Sequence, residues 1–337
     1  MWPLEKSVAQ HRRIWSVAVC MVLLWLLAAC QERLSAPIAP GQFTGQDLRG
    51  RDFSGTDLSS ANFDGARLTG ASFVGAKLVN ASFKGADLRE AYLREVQANG
   101  ANFTHADLGG ADLTRSHLNR ATFDHANLSR SRMDSVSAQE TSFDRASMSG
   151  AYLVKADLSQ SRFRGAWMES VQLGQAVLRG AVLEGATLGA AGAAQQGPSP
   201  ANLRGVDARG AHFDNAQLTS VVFTEARLES ARFVGANMEH ANLTWSHADG
   251  ADFSNARLGW ARGYSARLRS ARFDGAALNQ AQLEGADLRD ASLRGSQMEN
   301  TNLNQARLEG VVTDGAKAHH VLTHASSGAR PDLFKAR

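Results

Sequence analysis

Cysteine is nearly missing from this 337-residue chain: there are two, Cys20 and Cys30. Cys20 lies inside an N-terminal apolar segment read below as removable, so no disulfide within one molecule is expected and no cystine framework holds the fold. Proline is scarce at six and aromatic residues make up 7%. An excess of charge of one sign is missing too. The formal net charge is +3, and setting aside residues 1–29, with Lys6, Arg12 and Arg13 against Glu5, leaves 33 basic and 32 acidic residues, or +1. A body so balanced gives no electrostatic reason to expect a polyanionic partner, and nucleic acid is not expected. Catalytic signatures are absent as well. The chain has no G-x-S-x-G, H-E-x-x-H, paired C-x-x-C or phosphate loop, so no enzyme and no cofactor is expected.

Long apolar runs are reduced to one, Ile14 to Ala29, "IWSVAVCMVLLWLLAA", preceded by "HRR". As a helix it would span roughly 24 Å against the ~30 Å of a hydrocarbon core. That length suits a signal h-region, with a tilted membrane anchor as the alternative. The run ends in Leu27, Ala28, Ala29 and Cys30, followed by the polar stretch "QERLSAPIAP". These residues resemble the lipobox of bacterial lipoproteins. The resemblance implies cleavage before Cys30, acylation of its thiol, and a lipid-anchored protein of the bacterial cell envelope. Gln31, not being Asp, implies the periplasmic face of the outer membrane in a Gram-negative cell.

What the chain has in abundance is a period of five. In "ANFDGARLTGASFVGAKLVN", residues 61–80, the large residues are Phe63, Leu68, Phe73 and Leu78. From Phe43 to Leu308 nearly every position numbered with a final 3 or 8 is Leu, Phe or Met, and the residue two before this centre is usually Ala. A helix would rotate successive centres by roughly 140° and scatter them around the cylinder. A flat strand would send them to alternate faces, because five is odd. A chain that turns a corner every five residues buries them together. Four pentads then make a square coil, with the centre and the small residue before it inside and the other three positions in water. Most of the 31 glycines stand two after a centre, where a positive-φ corner favours them.

The "ADL", "ANF", "ANL" and "ASF" pentads resemble the pentapeptide-repeat family. The resemblance implies an all-β fold, a right-handed quadrilateral β-helix of about 13 coils over residues 41–310. Ala98, Ala138, Ala208, Ala248 and Gly263 depart from the large centre. The expected organisation is a signal peptide at 1–29, a lipidated N-terminus and linker at 30–40, the solenoid, and a C-terminal cap or tail at 311–337.

One face of a square coil recurs every twenty residues. Phe43 to Phe163 obey that step, whereas Phe213, Phe233, Phe253 and Phe273 are ten out of phase, as are Ala208 and Ala248 relative to Ala98 and Ala138. Looping out ten residues between Leu188 and Leu203 repairs both columns. The stretch 189–200, "GAAGAAQQGPSP", has no repeat centres and supplies the candidate interaction loop Gln195, Gln196, Gly197, Pro198, Ser199 and Pro200. Phe213 should then stack over Leu183.

Three groups of outer residues are candidate sites. In "GWARGYSARL", residues 259–268, Trp260 and Tyr264 flank the empty centre Gly263, with Trp245 and His240 expected one coil below. Either these aromatics form a contact patch or one of them turns inward to fill the void. His105 and His125, twenty apart, should stand one above the other. In the tail, "HHVLTH" puts His320 and His324 at helical spacing as weak metal ligands, beside His319. The last residues, "RPDLFKAR", either cover the last coil, pair with another molecule to give an oligomer, or stay disordered.

The functional expectation is a non-enzymatic, lipid-anchored scaffold or interaction module of the envelope, meeting the membrane through its anchor and an envelope protein through its patch or loop. The alternatives are topoisomerase inhibition by DNA mimicry, as in some pentapeptide-repeat proteins, and a metal-binding accessory role through the tail histidines. Signal segment and near-neutral body oppose the first alternative.

Overall fold

The computed structural model describes residues 42–189 and 199–328. They form one continuous β-solenoid, belonging to the compact unit Gln42–Arg337. Each pentad contributes one bridge residue, placed just before its centre, and that residue pairs in parallel with the equivalent residue twenty positions on, as in Asn62 with Ser82 and Arg67 with Asp87. Pairing is by such single bridges on four faces, named here first to fourth after their centres Phe63, Leu68, Phe73 and Leu78. No extended strand is needed, because five residues hold one straight segment and one corner.

Backbone carbonyls accept four of the five N–H groups of a pentad. The centre donates to the coil ahead (Phe63 to the Ser82 carbonyl, 2.7 Å), and the bridge residue donates to the coil behind (Ser82 to the Ala61 carbonyl, 2.9 Å). The corner residue also donates ahead (Gly65 to the Lys84 carbonyl, 2.9 Å), and the next small residue closes the turn (Ala66 to the Phe63 carbonyl, 3.0 Å). Only the residue after the centre is left over. An outer Asp or Asn takes its N–H, either from the same pentad (Asp64 N–H to Asn62 Oδ1, 2.8 Å) or from one coil back (Lys84 N–H to Asp64 Oδ1, 2.9 Å). The outer acids therefore hold the corners, and solvation alone does not explain them.

Apart from Pro200 at the junction, every described corner from Gly45 to Ala325 has a positive φ, whether glycine or another residue occupies it. A non-glycine there strains the backbone somewhat, yet its side chain points out of the coil and meets no wall. Inside, the centres and their small neighbours form one buried core. Along the first face the Phe rings stack with centroids 4.4 to 5.1 Å apart. Phe63 and Phe73, on opposite faces, meet edge to face in the core at 88°.

Between Leu188 and Leu203 the step changes from twenty to thirty. Gln172 pairs with Asn202, Val177 with Asp207, Val182 with His212 and Thr187 with Gln217. Phe213 thus stands over Leu183, and Leu203 over Leu173. Residues 190–198, including Gln195, Gln196, Gly197 and Pro198, lie outside the described residues. On the near side of that segment, a Cβ on Gly189 would come within 2.3 Å of the Thr219 nitrogen, so only glycine fits there. On the far side the Ser199 carbonyl accepts from Ser170 Oγ at 2.7 Å, beside Pro200.

The ladder also passes residue 310. Ser292 pairs with Val312, Gln297 with Lys317, Asn302 with Leu322 and Arg307 with Ser327. Residues 311–328 are a terminal coil with half-buried centres Thr313, Ala318 and Thr323. His320 and His324 therefore occupy successive faces of a coil, and the helical spacing expected of them does not exist. Backbone pairing continues there without apolar centres because its hydrogen bonds do not depend on what fills the middle. Cys30, Leu27, Ala28 and Ala29, and the tail from residue 329, lie outside the described residues. Among the described residues no helix is long and apolar enough to cross a membrane.

Candidate interaction surface

The third face of the coil carries the aromatic group. His240 and Trp260 occupy the corner leading into it, with rings 6.1 Å apart and 15° from parallel. Trp245 occupies the corner leading out, its N–H donating to the Tyr264 carbonyl at 3.0 Å. Trp245 is 58% exposed, Trp260 52% and Tyr264 37%. None of the three fills the void at Gly263. Leu283 does, since a Cβ on Gly263 would lie 2.7 Å from Leu283 Cδ2. The inward alternative for Trp260 and Tyr264 is therefore overturned: a branched aliphatic from the next coil reaches the vacancy at no cost to the corner geometry.

Arg262 lies between Trp260 and Tyr264 in the chain, is exposed, and has no ion pair among the described residues. It went unremarked in the sequence because the period assigns every bridge residue to the outside and does not say which of them lacks a partner. Most other arginines of the body are paired, as Arg257 is with Glu239 at 2.6 Å. Large aromatics around an unpaired guanidinium are the composition that dominates binding energy in protein interfaces. Tyr92 and Tyr152, also on the third face, and Trp167 on the second are each about half exposed. The sequence signal for them is the same bridge position.

The remaining candidates are dispersed. His105 and His125 stack with centroids 4.8 Å apart, both exposed. A polar groove of about 450 Å³ runs along the corner between the fourth and first faces, lined by Asn80, Asn99, Asn119, Arg120, Gln139 and Glu140. Its amides are engaged in the corner scheme, with Asn119 N–H on Asn99 Oδ1 and Gln139 N–H on Asn119 Oδ1, and Arg120 is clasped by Glu140 at 3.0 and 3.2 Å.

Two family models match this chain. One, for a pentapeptide repeat region, covers residues 47–123. The other, for pentapeptide repeats in eight copies, covers 134–165, 201–239, 236–258 and 266–311. Together they span more than half of the sequence, and the chain belongs to the pentapeptide-repeat family. The solenoid is accordingly a right-handed β-helix.

Among solved structures, the chain is similar to a pentapeptide repeat protein from the thylakoid lumen of Arabidopsis thaliana. The identity is 38%, over 32% of this chain and 66% of that one, with a TM-score of 0.25. It is similar to HetL, involved in heterocyst differentiation regulation in the cyanobacterium Nostoc, at 21% identity over 82% and 87% of the two chains, TM-score 0.18. It is also similar to the plasmid-mediated fluoroquinolone resistance protein QnrB1 at 16% identity over 73% and 91%, TM-score 0.21. The chain spans just under two thirds of the length of the Arabidopsis protein. No curated protein matches it.

Proposed function

We propose that this protein is a non-catalytic, lipid-anchored interaction rod of the bacterial cell envelope, held at the membrane through Cys30 and docking an envelope protein on the third face of its solenoid. The observation that carries the docking surface is the outward grouping of Trp245, Trp260 and Tyr264 with Arg262, while Leu283 packs the void at Gly263 in place of Trp260 or Tyr264. Burying such rings is worth ~1.5–3 kcal/mol each on contact with a partner and nothing in the free rod. The anchor rests on the lipobox-like Leu27, Ala28, Ala29 and Cys30. Acyl chains add ~0.8 kcal/mol per buried methylene, and two or more hold a protein firmly at a bilayer.

Cells fed an alkyne fatty acid should label the protein, and Cys30→Ser should abolish the label; persistent labelling of that variant, or none in the parent, refutes the anchor. In pull-downs from envelope fractions, Trp245→Ser with Trp260→Ser should lose the captured protein while Tm stays within about 2 °C of the parent. Loss of Tm with capture intact would instead make the rings packing elements.

A further inference from the structure

A different cluster lies on the first face, where the register changes. Glu184 follows the centre Leu183, and His212 and Asp214 flank the centre Phe213 directly above it. One ligand atom from each of the three lies within 4.8 Å of the others, the only such group of three His, Cys, Asp or Glu among the described residues. All three side chains are half-buried.

The thirty-residue step creates this group. With the ordinary step of twenty, Arg204 would stand over Glu184 and form an ion pair, as Glu184 already does with Arg164 on its other side. The ten additional residues replace Arg204 by Asp214 and bring His212 with it. Two carboxylates are thereby forced together across the one junction where the regular step fails, with an imidazole beside them. Like charges so close destabilise a fold unless a cation joins them.

Guanidiniums supply part of that charge from outside. Arg164 Nε reaches Glu184 Oε2 at 3.1 Å, and Arg232 Nε reaches Asp214 Oδ2 at 3.1 Å. Asp214 Oδ1 accepts the Val234 N–H at 3.0 Å. These contacts orient the carboxylates from the rim, as outer hydrogen bonds orient ligands in metal sites. A divalent ion about 2 Å from its ligand atoms lies closer to the two carboxylates than either guanidinium does, so attraction outweighs the added repulsion.

We propose that Glu184, His212 and Asp214 bind one divalent transition-metal ion of the zinc class, which clamps the coil before the ten-residue insertion to the coil after it. One imidazole and two carboxylates suit a borderline ion and leave a fourth position for water. In a body without disulfides the ion would be a cross-link between residues 28 to 30 apart in the chain.

Zinc chloride is titrated by calorimetry into the detergent-solubilised full chain, without a histidine tag. Circular dichroism checks that the variants are folded, and Tm is read with and without zinc. The parent should bind one equivalent and gain Tm. His212→Asn, at a half-buried position outside the apolar core, should weaken binding at least about tenfold and lose the Tm gain, since substitutions of residues that only hydrogen-bond to ligands already cost that much in metal sites. Glu184→Gln should do the same. The combined His319→Ala, His320→Ala and His324→Ala variant should bind as the parent does. Absence of zinc binding in the parent, parent-like binding by His212→Asn, or loss of the signal only in the tail variant would each overturn the clamp.

Discussion

At the scale of single residues, the outer acids decide how the solenoid responds to pH. Asp87 accepts two hydrogen bonds from Arg89 and one from Thr69, at 2.7 to 2.9 Å. The Arg89 contact is the largest cause of its lowered pKa, about 2, against an opposing effect of burial. For Asp207 burial is the largest influence and pushes upward, but hydrogen bonds and charge from Arg209 and Arg179 outweigh it and hold the carboxyl far below the usual range. A carboxylate whose folded pKa lies below its unfolded value of about 4 stabilises the fold fully above that value and loses the contribution as pH falls through the folded one. Tm should therefore stay level from pH 7 to about 5 and fall between about pH 4 and 2. Asp207→Asn should cost about 1 kcal/mol at pH 7, a figure kept low because its arginine partners face solvent, and should flatten the acid limb. An unchanged limb in thermal melts from pH 7 to 2 would show that these pairs are not coupled to folding. The outward placement of these acids is readable from the five-residue period. Their role is not, because the leftover N–H after each centre becomes visible only once the other four are assigned. Gly263 teaches the same lesson: the sequence marks a void, and only packing reveals that Leu283 enters it.

At the scale of the coil, the sequence is most legible where identical positions stack. Phe43 to Phe163 and Phe213 to Phe273 fall on one face only if ten residues are left out of the stack, and the bridges from Gln172 to Asn202 and beyond take that thirty-residue step. Less legible was the end of the ladder. Thr313, Ala318 and Thr323 are poor centres, yet residues 311–328 still pair, so apolar periodicity underestimates a backbone that propagates by hydrogen bonds. The corners were half legible, since glycine marks some of them while His240, Trp245 and Trp260 adopt the same left-handed conformation. The register makes a deletion test specific. Removing residues 191–200 leaves Ala190 as the corner before Ala201, a conformation Ala325 already adopts at φ 55°. Every later centre keeps its face, and the loss of the Ser170 contact to Ser199 is worth only ~0.5–1.5 kcal/mol. That variant should fold with a Tm within a few degrees of the parent. Removing residues 191–205 deletes one pentad more, turns every later centre by one face, and moves Phe213 from the column of Leu183 into that of Leu178. The mismatched Phe, Ala and Gly centres should cost several kcal/mol in cavities and overpacking. Chemical denaturation of the two variants checks this, and equal stability of both would mean the columns do not matter.

At the scale of the described solenoid, each coil touches only its neighbours, so the body behaves as a one-dimensional array whose cooperativity is set by its weakest interface. The obvious place to look is the junction between Leu188 and Leu203. Counted by its bonds, that junction is as strong as any other. Ahead of it, the N–H groups of Leu173, Leu178, Leu183 and Leu188 donate to Asn202, Asp207, His212 and Gln217 at 2.7 to 2.8 Å, and the four reverse bonds are present at 2.8 to 2.9 Å. Leu183 and Phe213 are fully buried on either side, and Arg179 reaches across to Asp207 at 2.7 Å. Interfaces of equal strength give no reason for the halves to separate, because unfolding one half exposes the buried centres of the coil next to it at ~1.5–3 kcal/mol each. Calorimetry of the full chain should show a single transition of the solenoid, with calorimetric and van't Hoff enthalpies in agreement. Hydrogen exchange should find the amides of Leu183 and Phe213 protected to the same degree as those of Phe123 and Phe253. Two resolved transitions, or faster exchange confined to the junction, would show that the insertion divides the rod into two folding units, and that the matched hydrogen bonds do not transmit order across it.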